Sequence, residues 1–203
     1  MSTESSPSVK RPVVFLDRDG TLNVESGYIR DVENLVLIDG AGEAIKKLND
    51  ANIAAILVTN QTGAARGYYP EEHINALHKR LTGLLSACNA HLDAIYYCPH
   101  LADGTVEPYA IDCKCRKPEV GMVEQAFAEH QDLDRAQSFV VGDKATDIEL
   151  ARNCNSRGVL VKSGYGEAVL KGEYQWVVSP DYEAHSIVEG IDWILSQVKL
   201  TAN

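Results

Sequence analysis

Short apolar runs alternate along this chain with longer segments in which apolar residues recur every three or four positions. The apolar runs are typical of buried strands, and they lie at residues 13–16, 53–58, 94–97, 138–141, 159–161 and 176–178. The periodic segments are typical of amphipathic helices, and they lie at residues 40–52, 70–88, 121–130, 144–153 and 183–198. Strands that alternate with helices predict an α/β fold with a doubly wound parallel sheet.

The same pattern predicts the domain organisation. Residues 1–10 are polar and rich in serine, which predicts a flexible N-terminal tail ahead of a single domain over residues 11–200. The segments between the predicted strands have room for single helices and loops, so we expect no large cap domain. One long segment, residues 98–118, has no apolar periodicity and is predicted to be a loop.

Composition and charge narrow the classes of partner. The net charge of −10 argues against a nucleic acid or an anionic membrane, because both require a basic protein face. No apolar run approaches the roughly 18 residues of a membrane span, and the N-terminus lacks the apolar core of a signal peptide. The odd number of cysteines, five, argues against a disulfide framework. We therefore expect a cytoplasmic protein and, since no long exposed apolar helix is evident, a monomer.

Three of the predicted strands end in polar residues. Asp17 and Asp19 follow the first strand, Thr59 and Asn60 end the second, and Asp143 follows the fourth. The carboxyl ends of parallel strands meet at one edge of a sheet, which is where α/β proteins bind ligands. The three strand ends therefore predict one site.

The residue types at these ends suggest phosphoryl transfer. Asp17 is the candidate nucleophile, because a carboxylate can attack phosphorus and form an aspartyl-phosphate. Asp19 is the candidate general acid and base. The carboxylates of Asp17 and Asp143, with an oxygen of Asp19, are ligands of the kind that Mg²⁺ prefers. Thr59 and Lys117 supply hydrogen-bond donors and positive charge for the transferring group.

Each cluster alone also has a simple structural interpretation. An Asp-x-Asp pair is commonly a turn or a helix cap, and Thr-Asn after a strand is commonly a turn. Their occurrence together, each after an apolar strand, favours catalysis. A sugar-phosphate-binding protein without activity, a phosphotransferase and a zinc-based interaction module are the alternatives from other classes. Asp147, four residues after Asp143, is expected to orient Lys144 or a metal-bound water.

The long loop carries a second possible metal site. Cys98, His100, Cys113 and Cys115 would form a closed tetrahedral zinc site over residues 98–115, which is structural rather than catalytic. A loop with few apolar residues gains folding free energy from such a site. The alternative is a set of free thiols beside a surface histidine. Because Cys115 leads directly into residues 116–117, zinc would position the arginine and lysine there.

The chain resembles the haloacid dehalogenase superfamily of phosphatases in four ordered motifs. These are Asp17-Arg18-Asp19-Gly20-Thr21, Val58-Thr59-Asn60-Gln61, Arg116-Lys117-Pro118 and Gly142-Asp143-Lys144-x-x-Asp147. The match spans about residues 13–161. The resemblance implies a Rossmann-like core, Mg²⁺ and an aspartyl-phosphate intermediate, with Asp17 as nucleophile, Asp19 as proton donor, and Asp17, Asp19 and Asp143 around the Mg²⁺.

Two zinc-containing branches of the superfamily are similar to the chain, the heptose-bisphosphate and the histidinol-phosphate phosphatases. Residues 25–28, 59–67 and 95–100 resemble the first branch more closely. That resemblance implies removal of the C7 phosphate from a heptose 1,7-bisphosphate in lipopolysaccharide-core biosynthesis, with histidinol phosphate as the alternative substrate. It also implies a set of substrate contacts, namely Glu25, Ser26, Gly27, Tyr28, Thr59, Asn60, Gln61, Thr62, Arg116, Lys117 and Lys144. Arg66 is a further candidate for a distal anionic group, because arginine forms paired hydrogen bonds with such groups.

Overall fold

The computed structural model describes residues 10–198, so nearly all of the predicted tail at 1–10 and the last residues of the predicted domain lie outside the described residues. The strands are β1 (Arg11–Leu16), β2 (Ala54–Asn60), β3 (Ala94–Cys98), β4 (Leu133–Gly142), β5 (Arg157–Val161) and β6 (Tyr182–Ala184). The α-helices are α1 (Ala41–Asp50), α2 (Glu71–Ala87), α3 (Gly121–Glu129), α4 (Ala145–Asn153), α5 (Gly166–Lys171) and α6 (Ile187–Gln197), with a short 3₁₀ helix at Val32–Asn34.

All six strands form one parallel sheet, in the order β3-β2-β1-β4-β5-β6. Helices cover both faces, which confirms the predicted doubly wound α/β fold. The first strand of the sequence lies in the middle of the sheet, and its neighbours are β2 and β4. Leu16, the last residue of β1, lies opposite Leu57 of β2 and Val141 of β4. The residues that follow these three strands therefore reach the same edge.

Side-chain alternation along β1 produces the two-layered core. Val14 and Leu16 pack on one face, in a cluster with apolar residues of α1, α2 and α6. Val13 and Phe15 point to the opposite face, in a cluster with residues of α3 and α4. Each such side chain is fully buried, and burial of one contributes about 1.5–3 kcal/mol. The edge of the sheet at the end of β1 is thus held by a strand that is buried on both faces.

The structure corrects the prediction at the C-terminal edge of the sheet. The predicted strand at 176–178 is wrong, since Trp176 and Val177 are 42% and 63% exposed and belong to a loop. The sixth strand is β6, which pairs with β5 and includes Glu183. The terminal helix therefore begins at Ile187 rather than at residue 183. Helix α5 was not predicted.

The connections on the site side of the sheet contain few secondary-structure elements. Within residues 10–198, the segment between β1 and β2 holds the 3₁₀ helix and α1, and the segment between β2 and β3 holds α2. This confirms the prediction that no large cap domain is present. None of the described helices is both long enough and apolar enough to cross a membrane.

Candidate active site

Asp17 continues the line of β1 at the edge of the sheet. Its amide donates to the carbonyl oxygen of Val141 at 2.9 Å, so its position is fixed by the pairing of β1 with β4. The chain then turns at Gly20, which has a φ of +83°. A Cβ at residue 20 would collide with the carboxylate of Asp143, so glycine is required by both conformation and space.

Lys117 is buried against the candidate nucleophile. Its ammonium lies 2.9 Å from Asp17 Oδ1 and 2.6 Å from Asp147 Oδ1, and it donates to the carbonyl oxygen of Val58 at 2.9 Å. Burial by itself would raise the pKa of Asp17, but the charges of Lys117 and Lys144 outweigh it and lower this pKa below its ordinary value. Asp17 is therefore ionised at neutral pH, as attack on phosphorus requires.

Lys144 lies where oxygen atoms from several segments converge. Its ammonium is 3.0 Å from the carbonyl oxygen of Asp19, 3.1 Å from Asp143 Oδ1 and 3.5 Å from Asp17 Oδ2. It also pairs with Glu25 at 3.2 Å. The Lys144 ammonium thus lies among carboxylate and carbonyl oxygens. Oxygen atoms of this kind are what a bound Mg²⁺ ion would need.

The donor set fits Mg²⁺. Carboxylate oxygens of Asp17, Asp143 and Asp147 all lie within 4.8 Å of one another, and Mg²⁺ prefers oxygen ligands. Burial raises the pKa of Asp143 to about 7, with Lys144 acting against the shift and the charges of Asp17 and Asp147 adding to it. A divalent cation would relieve this crowding of negative charge.

Asp147 has its oxygens engaged by protein groups. Besides the ion pair with Lys117, its Oδ2 accepts a hydrogen bond from the main-chain amide of Lys144 at 3.0 Å, at the N-terminus of α4. A Cβ at residue 142 would occupy the space of this carboxylate. Asp147 therefore holds the Lys117 ammonium and, at the start of α4, the main chain of Lys144.

The carboxylate of Asp19 lies outside the cluster of Asp17, Asp143 and Asp147. It accepts hydrogen bonds from Arg18, from Asn23 Nδ2 at 3.0 Å and from Gln61 Nε2 at 2.8 Å. The main-chain carbonyl oxygen of Asp19, in contrast, contacts the Lys144 ammonium beside Asp17 and Asp143. The predicted Mg²⁺ set of residues 17, 19 and 143 therefore comes together through two carboxylates and one carbonyl group.

Most of the predicted substrate residues surround one cavity of about 250 Å³. Thr59 lies beneath it, buried, with its hydroxyl accepting a hydrogen bond from Gln61 at 3.0 Å. Ser26 and Arg66 are exposed and do not line this cavity. The predicted residues that do line it are Asp17, Asp19, Glu25, Gly27, Tyr28, Asn60, Gln61, Thr62, Arg116, Lys117 and Lys144.

Five lining residues were not predicted from the sequence, and they are Tyr69, Thr146, Tyr165, Tyr174 and Gln175. Tyr165 and Tyr174 are stacked, with ring centroids 4.0 Å apart and planes 9° apart. Tyr165 follows β5, so the same strand-end reasoning would have identified it. No sequence signal identifies Tyr174 or Gln175, because a loop brings them to the cavity.

The cysteine loop forms a second cluster of possible metal ligands. One ligand atom each from Cys98, His100, Cys113 and Cys115 lies within 4.8 Å of the others. The sulfur atoms of Cys113 and Cys115 are 2.8 Å apart, and His100 Nδ1 is 3.5 Å from Cys115 Sγ. A hydrogen bond from Cys115 lowers the pKa of Cys98 to about 6, with burial opposing the shift and His100 adding to it. These soft donors fit zinc.

The two clusters are joined through residues 116–117. Arg116 Nη1 donates to the carbonyl oxygen of His100 at 3.3 Å. The side chain of Asn60, at the end of β2, exchanges two hydrogen bonds with the main chain of Lys117, at 3.1 Å and 3.0 Å. The cysteine loop is therefore held against the strand ends at the residue that contacts Asp17.

Comparison with known proteins agrees with this geometry. Residues 114–190 match a HAD-hydrolase-like family model. The chain is 48% identical, over 93% of its length and 97% of the relative's, to D-glycero-D-manno-heptose-1,7-bisphosphate 7-phosphatase of Thermosynechococcus vestitus. It is 40% identical to the D-glycero-beta-D-manno-heptose-1,7-bisphosphate 7-phosphatase of Haemophilus influenzae, over 92% of this chain and 97% of that one.

Solved structures show the same likeness. The D,D-heptose 1,7-bisphosphate phosphatase of B. bronchiseptica, complexed with magnesium and phosphate, superposes with a TM-score of 0.80 at 28% identity. The superposition covers 92% of this chain and 99% of that one. A putative HAD-like phosphatase of Mesorhizobium loti gives the same TM-score at 30% identity, covering 100% and 93% of the two chains. The chain therefore belongs to the HAD superfamily of phosphatases and, within it, to the family of the heptose-bisphosphate phosphatases.

Proposed function

We propose that this protein removes the C7 phosphate of D-glycero-D-manno-heptose 1,7-bisphosphate, as the names of its relatives state for those enzymes. The observation that carries the proposal is the ion pair between Asp17 and the buried Lys117 at the floor of the cavity. A nucleophilic carboxylate kept ionised beside a fixed cation suits attack on a phosphate monoester. Such a reaction would serve heptose biosynthesis.

The reaction has two displacements. In the first, an oxygen of Asp17 attacks phosphorus, the bond from phosphorus to the C7 oxygen breaks, and Asp19 donates a proton to that oxygen. In the second, water attacks the aspartyl-phosphate, Asp19 takes a proton from the water, and Asp17 and inorganic phosphate are released. Lys117 neutralises charge on the transferring group in both steps.

Two metal ions complete the proposed enzyme. Asp17, Asp143 and the carbonyl oxygen of Asp19 would hold Mg²⁺, which supplies charge neutralisation for the phosphoryl oxygens. Cys98, His100, Cys113 and Cys115 would hold Zn²⁺, with no position open to substrate. The donor types in the two clusters, all oxygen in one and sulfur with imidazole in the other, support this division.

The second phosphate of the substrate needs a basic residue near the cavity. Arg116 lines the cavity beside Lys117, and its guanidinium can form paired hydrogen bonds with a phosphate. We assign the C1 phosphate to Arg116 in preference to the exposed Arg66. The cytoplasmic location, the monomeric state and the absence of nucleic-acid and membrane partners stay predictions from the sequence.

A paired substrate assay tests the function. Purified protein with Mg²⁺ is given the heptose 1,7-bisphosphate or histidinol phosphate at equal concentrations, and released phosphate is measured as kcat/KM. We expect a higher kcat/KM for the heptose bisphosphate, and phosphorus NMR should identify heptose 1-phosphate as product. A higher kcat/KM for histidinol phosphate would overturn the assignment, and heptose 7-phosphate as the product would overturn the C7 specificity.

A further inference from the structure

Arg18 is the largest fully buried side chain of the described residues, at 1% exposure. Burial of a guanidinium is costly unless the charge is paired and hydrogen-bonded. Within residues 10–198 the carboxylate paired with it is that of Asp19, at 2.9 Å. Arg18 Nη1 has no hydrogen-bond partner there. The buried charge of Arg18 is therefore held against one carboxylate of the candidate active site, that of Asp19.

The contacts hold Asp19 at both carboxylate oxygens. Arg18 donates from Nε to Oδ1 at 3.1 Å and from Nη2 to Oδ2 at 2.9 Å, while Nη2 also lies 3.0 Å from Oδ1. Asn23 donates to Oδ1 and Gln61 to Oδ2. Donors at both oxygens leave the carboxylate little freedom to rotate. The contacts therefore fix its orientation.

The position of Arg18 is set by the turn that follows β1. Its carbonyl oxygen accepts hydrogen bonds from the amides of Thr21, Leu22 and Asn23, at 3.3, 2.9 and 3.1 Å. The amide of Gly20 in turn donates to the carbonyl oxygen of Asn23 at 2.8 Å. Arg18 and Asn23 are thereby fixed relative to each other, and so the clamp on Asp19 is rigid.

We infer that Arg18 is a positioning residue that holds the Asp19 carboxylate in place, as acid in the first displacement and as base in the second. The inference rests on the proposed function. In that step the water oxygen bonds to phosphorus, the bond from phosphorus to Asp17 breaks, and one water proton passes to Asp19. The protonated Asp19 then serves as acid in the next cycle. Arg18 does not line the cavity, and it acts through the orientation of the Asp19 carboxylate.

This role predicts an effect on the kinetic constants that depends on the leaving group. The ratio kcat/KM reports steps through formation of the phosphoenzyme, whereas kcat also includes its hydrolysis. For Arg18→Met, we expect kcat to fall at least about tenfold, because a misplaced base loses part of the acid–base contribution. For the heptose bisphosphate, kcat/KM should fall as well, because the sugar oxygen needs a proton from Asp19 in order to leave. For p-nitrophenyl phosphate, kcat/KM should stay within about threefold of the wild type, since p-nitrophenolate leaves without a proton.

The experiment measures both constants for the heptose bisphosphate and for p-nitrophenyl phosphate, and acid quenching measures the phosphoenzyme. With p-nitrophenyl phosphate we expect the variant to accumulate phosphoenzyme, because with this substrate only the hydrolysis of that intermediate is slowed. Arg135→Met removes an exposed arginine paired with Glu124, and it should match the wild type. If Arg18→Met does not fold, Arg18→Lys keeps the charge but cannot form the two-nitrogen clamp, and the same measurements apply.

The outcomes separate this inference from the proposed function. Equal losses of kcat/KM with both substrates, without phosphoenzyme, would mean that Arg18 is only structural. An unchanged kcat would also overturn the inference. If the wild-type protein releases no phosphate from either substrate with Mg²⁺, the proposed function itself is wrong.

Discussion

The two candidate metal sites of this protein are built in different ways. The carboxylate cluster lies at the ends of β1 and β4, where Asp17 is 4% exposed and Asp143 and Asp147 are fully buried. The cysteine cluster lies mainly in a loop, and Cys113 and Cys115 are only partly buried. The packed sheet holds the first site in place. Most of the second belongs to an irregular loop, so a metal ion would hold that loop together.

The contrast indicates that two clusters of metal-ligand side chains can contribute differently to the stability of the protein. In the strand-end site, ion pairs with Lys117 and Lys144 compensate the buried carboxylates. In the loop, the candidate ligand atoms are thiol sulfurs and an imidazole nitrogen, which approach one another at 2.8 to 3.7 Å. Changes at the first site should therefore alter activity more than stability, and changes at the second should alter stability first.

The largest effect is expected for Asp17→Asn. The substitution removes the nucleophile while keeping its size, and we expect kcat to fall by at least about a thousandfold, as in other enzymes that lose a nucleophile. The pair of Lys117 with Asp147 remains, so the melting temperature should change little. Phosphate release and thermal unfolding are measured on the same sample. The control is Asp50→Asn, an exposed carboxylate paired with Lys46, which should keep full activity.

Next in size is Cys115→Ser, which tests the loop. Loss of one thiolate should abolish stoichiometric zinc and lower the free energy of unfolding by about 3 kcal/mol or more, because metal binding at such sites is coupled to folding. Elemental analysis and urea unfolding provide the measurements. Cys88→Ser changes an exposed cysteine outside the cluster and should leave zinc content unaltered. Full zinc content in the Cys115 variant would contradict the proposed ligand set.

A smaller effect is expected at His78, which lies on α2 against Tyr97 of β3. Burial, with the charge of Arg18 adding to it, lowers the pKa of His78 to about 3. The unfolded chain therefore binds a proton that the folded protein does not, between pH 6.5 and 3. The contribution of residue 78 to the free energy of unfolding should be fully present above about pH 6.5. It should decrease as the pH falls, by up to about 1.4 kcal/mol per pH unit.

The measurement compares urea unfolding at pH 6.5 and pH 5.0 in the wild type and in His78→Gln. The difference between the two proteins isolates residue 78, because Asp143 and the other titrating groups are common to both. The variant should lose the pH-dependent part of the destabilisation. His185→Gln, at an exposed position, should behave like the wild type. A variant as pH-sensitive as the wild type would show that His78 is not the group responsible.

The smallest effect is expected for Tyr109→Phe. The hydroxyl of Tyr109, in the cysteine loop, donates to Glu71 Oε2 at 2.8 Å, and Tyr97 donates to the other oxygen. Loss of this bond should cost about 1 kcal/mol of unfolding free energy and should speed the removal of zinc by a chelator. Tyr68→Phe, on the neighbouring loop, is the matched control. Equal rates of zinc loss in both variants would show that Glu71 does not anchor the loop.

The sheet and the strand-end residues could be predicted because each depends on a local pattern. The runs ending at Leu16, Val58 and Val141 are continuous and apolar, and parallel pairing brings the residues after them together. The error at 176–178 has a physical cause. An apolar run there resembles a strand, yet Trp176 and Val177 are exposed. The true sixth strand has only three residues, too few to show a period.

The remaining cavity wall depends on loop conformation, which no periodicity encodes. Tyr174 and Gln175 approach the cavity because the segment after α5 folds back, and Gln175 Oε1 accepts a hydrogen bond from the amide of Ala145 at 2.9 Å. The exposure of Ser26 and Arg66 likewise depends on loop conformation. The orientation of Asp19 towards Arg18 was also unpredictable, because adjacent residues in a turn can point in any of several directions.

Because β1 lies between β2 and β4, the active site forms only when segments far apart in the sequence have come together. Activity can therefore be used to follow that assembly. The hydrogen bond from Lys144 to the carbonyl oxygen of Asp19 spans 125 residues. Closing a chain segment of that length costs about 4 kcal/mol of entropy, apart from a constant. Asp17 meets Asp143 only after β4 has docked on the first strand. Recovery of phosphate release during refolding would therefore time the docking of β4, which spectroscopic probes of helix content do not isolate.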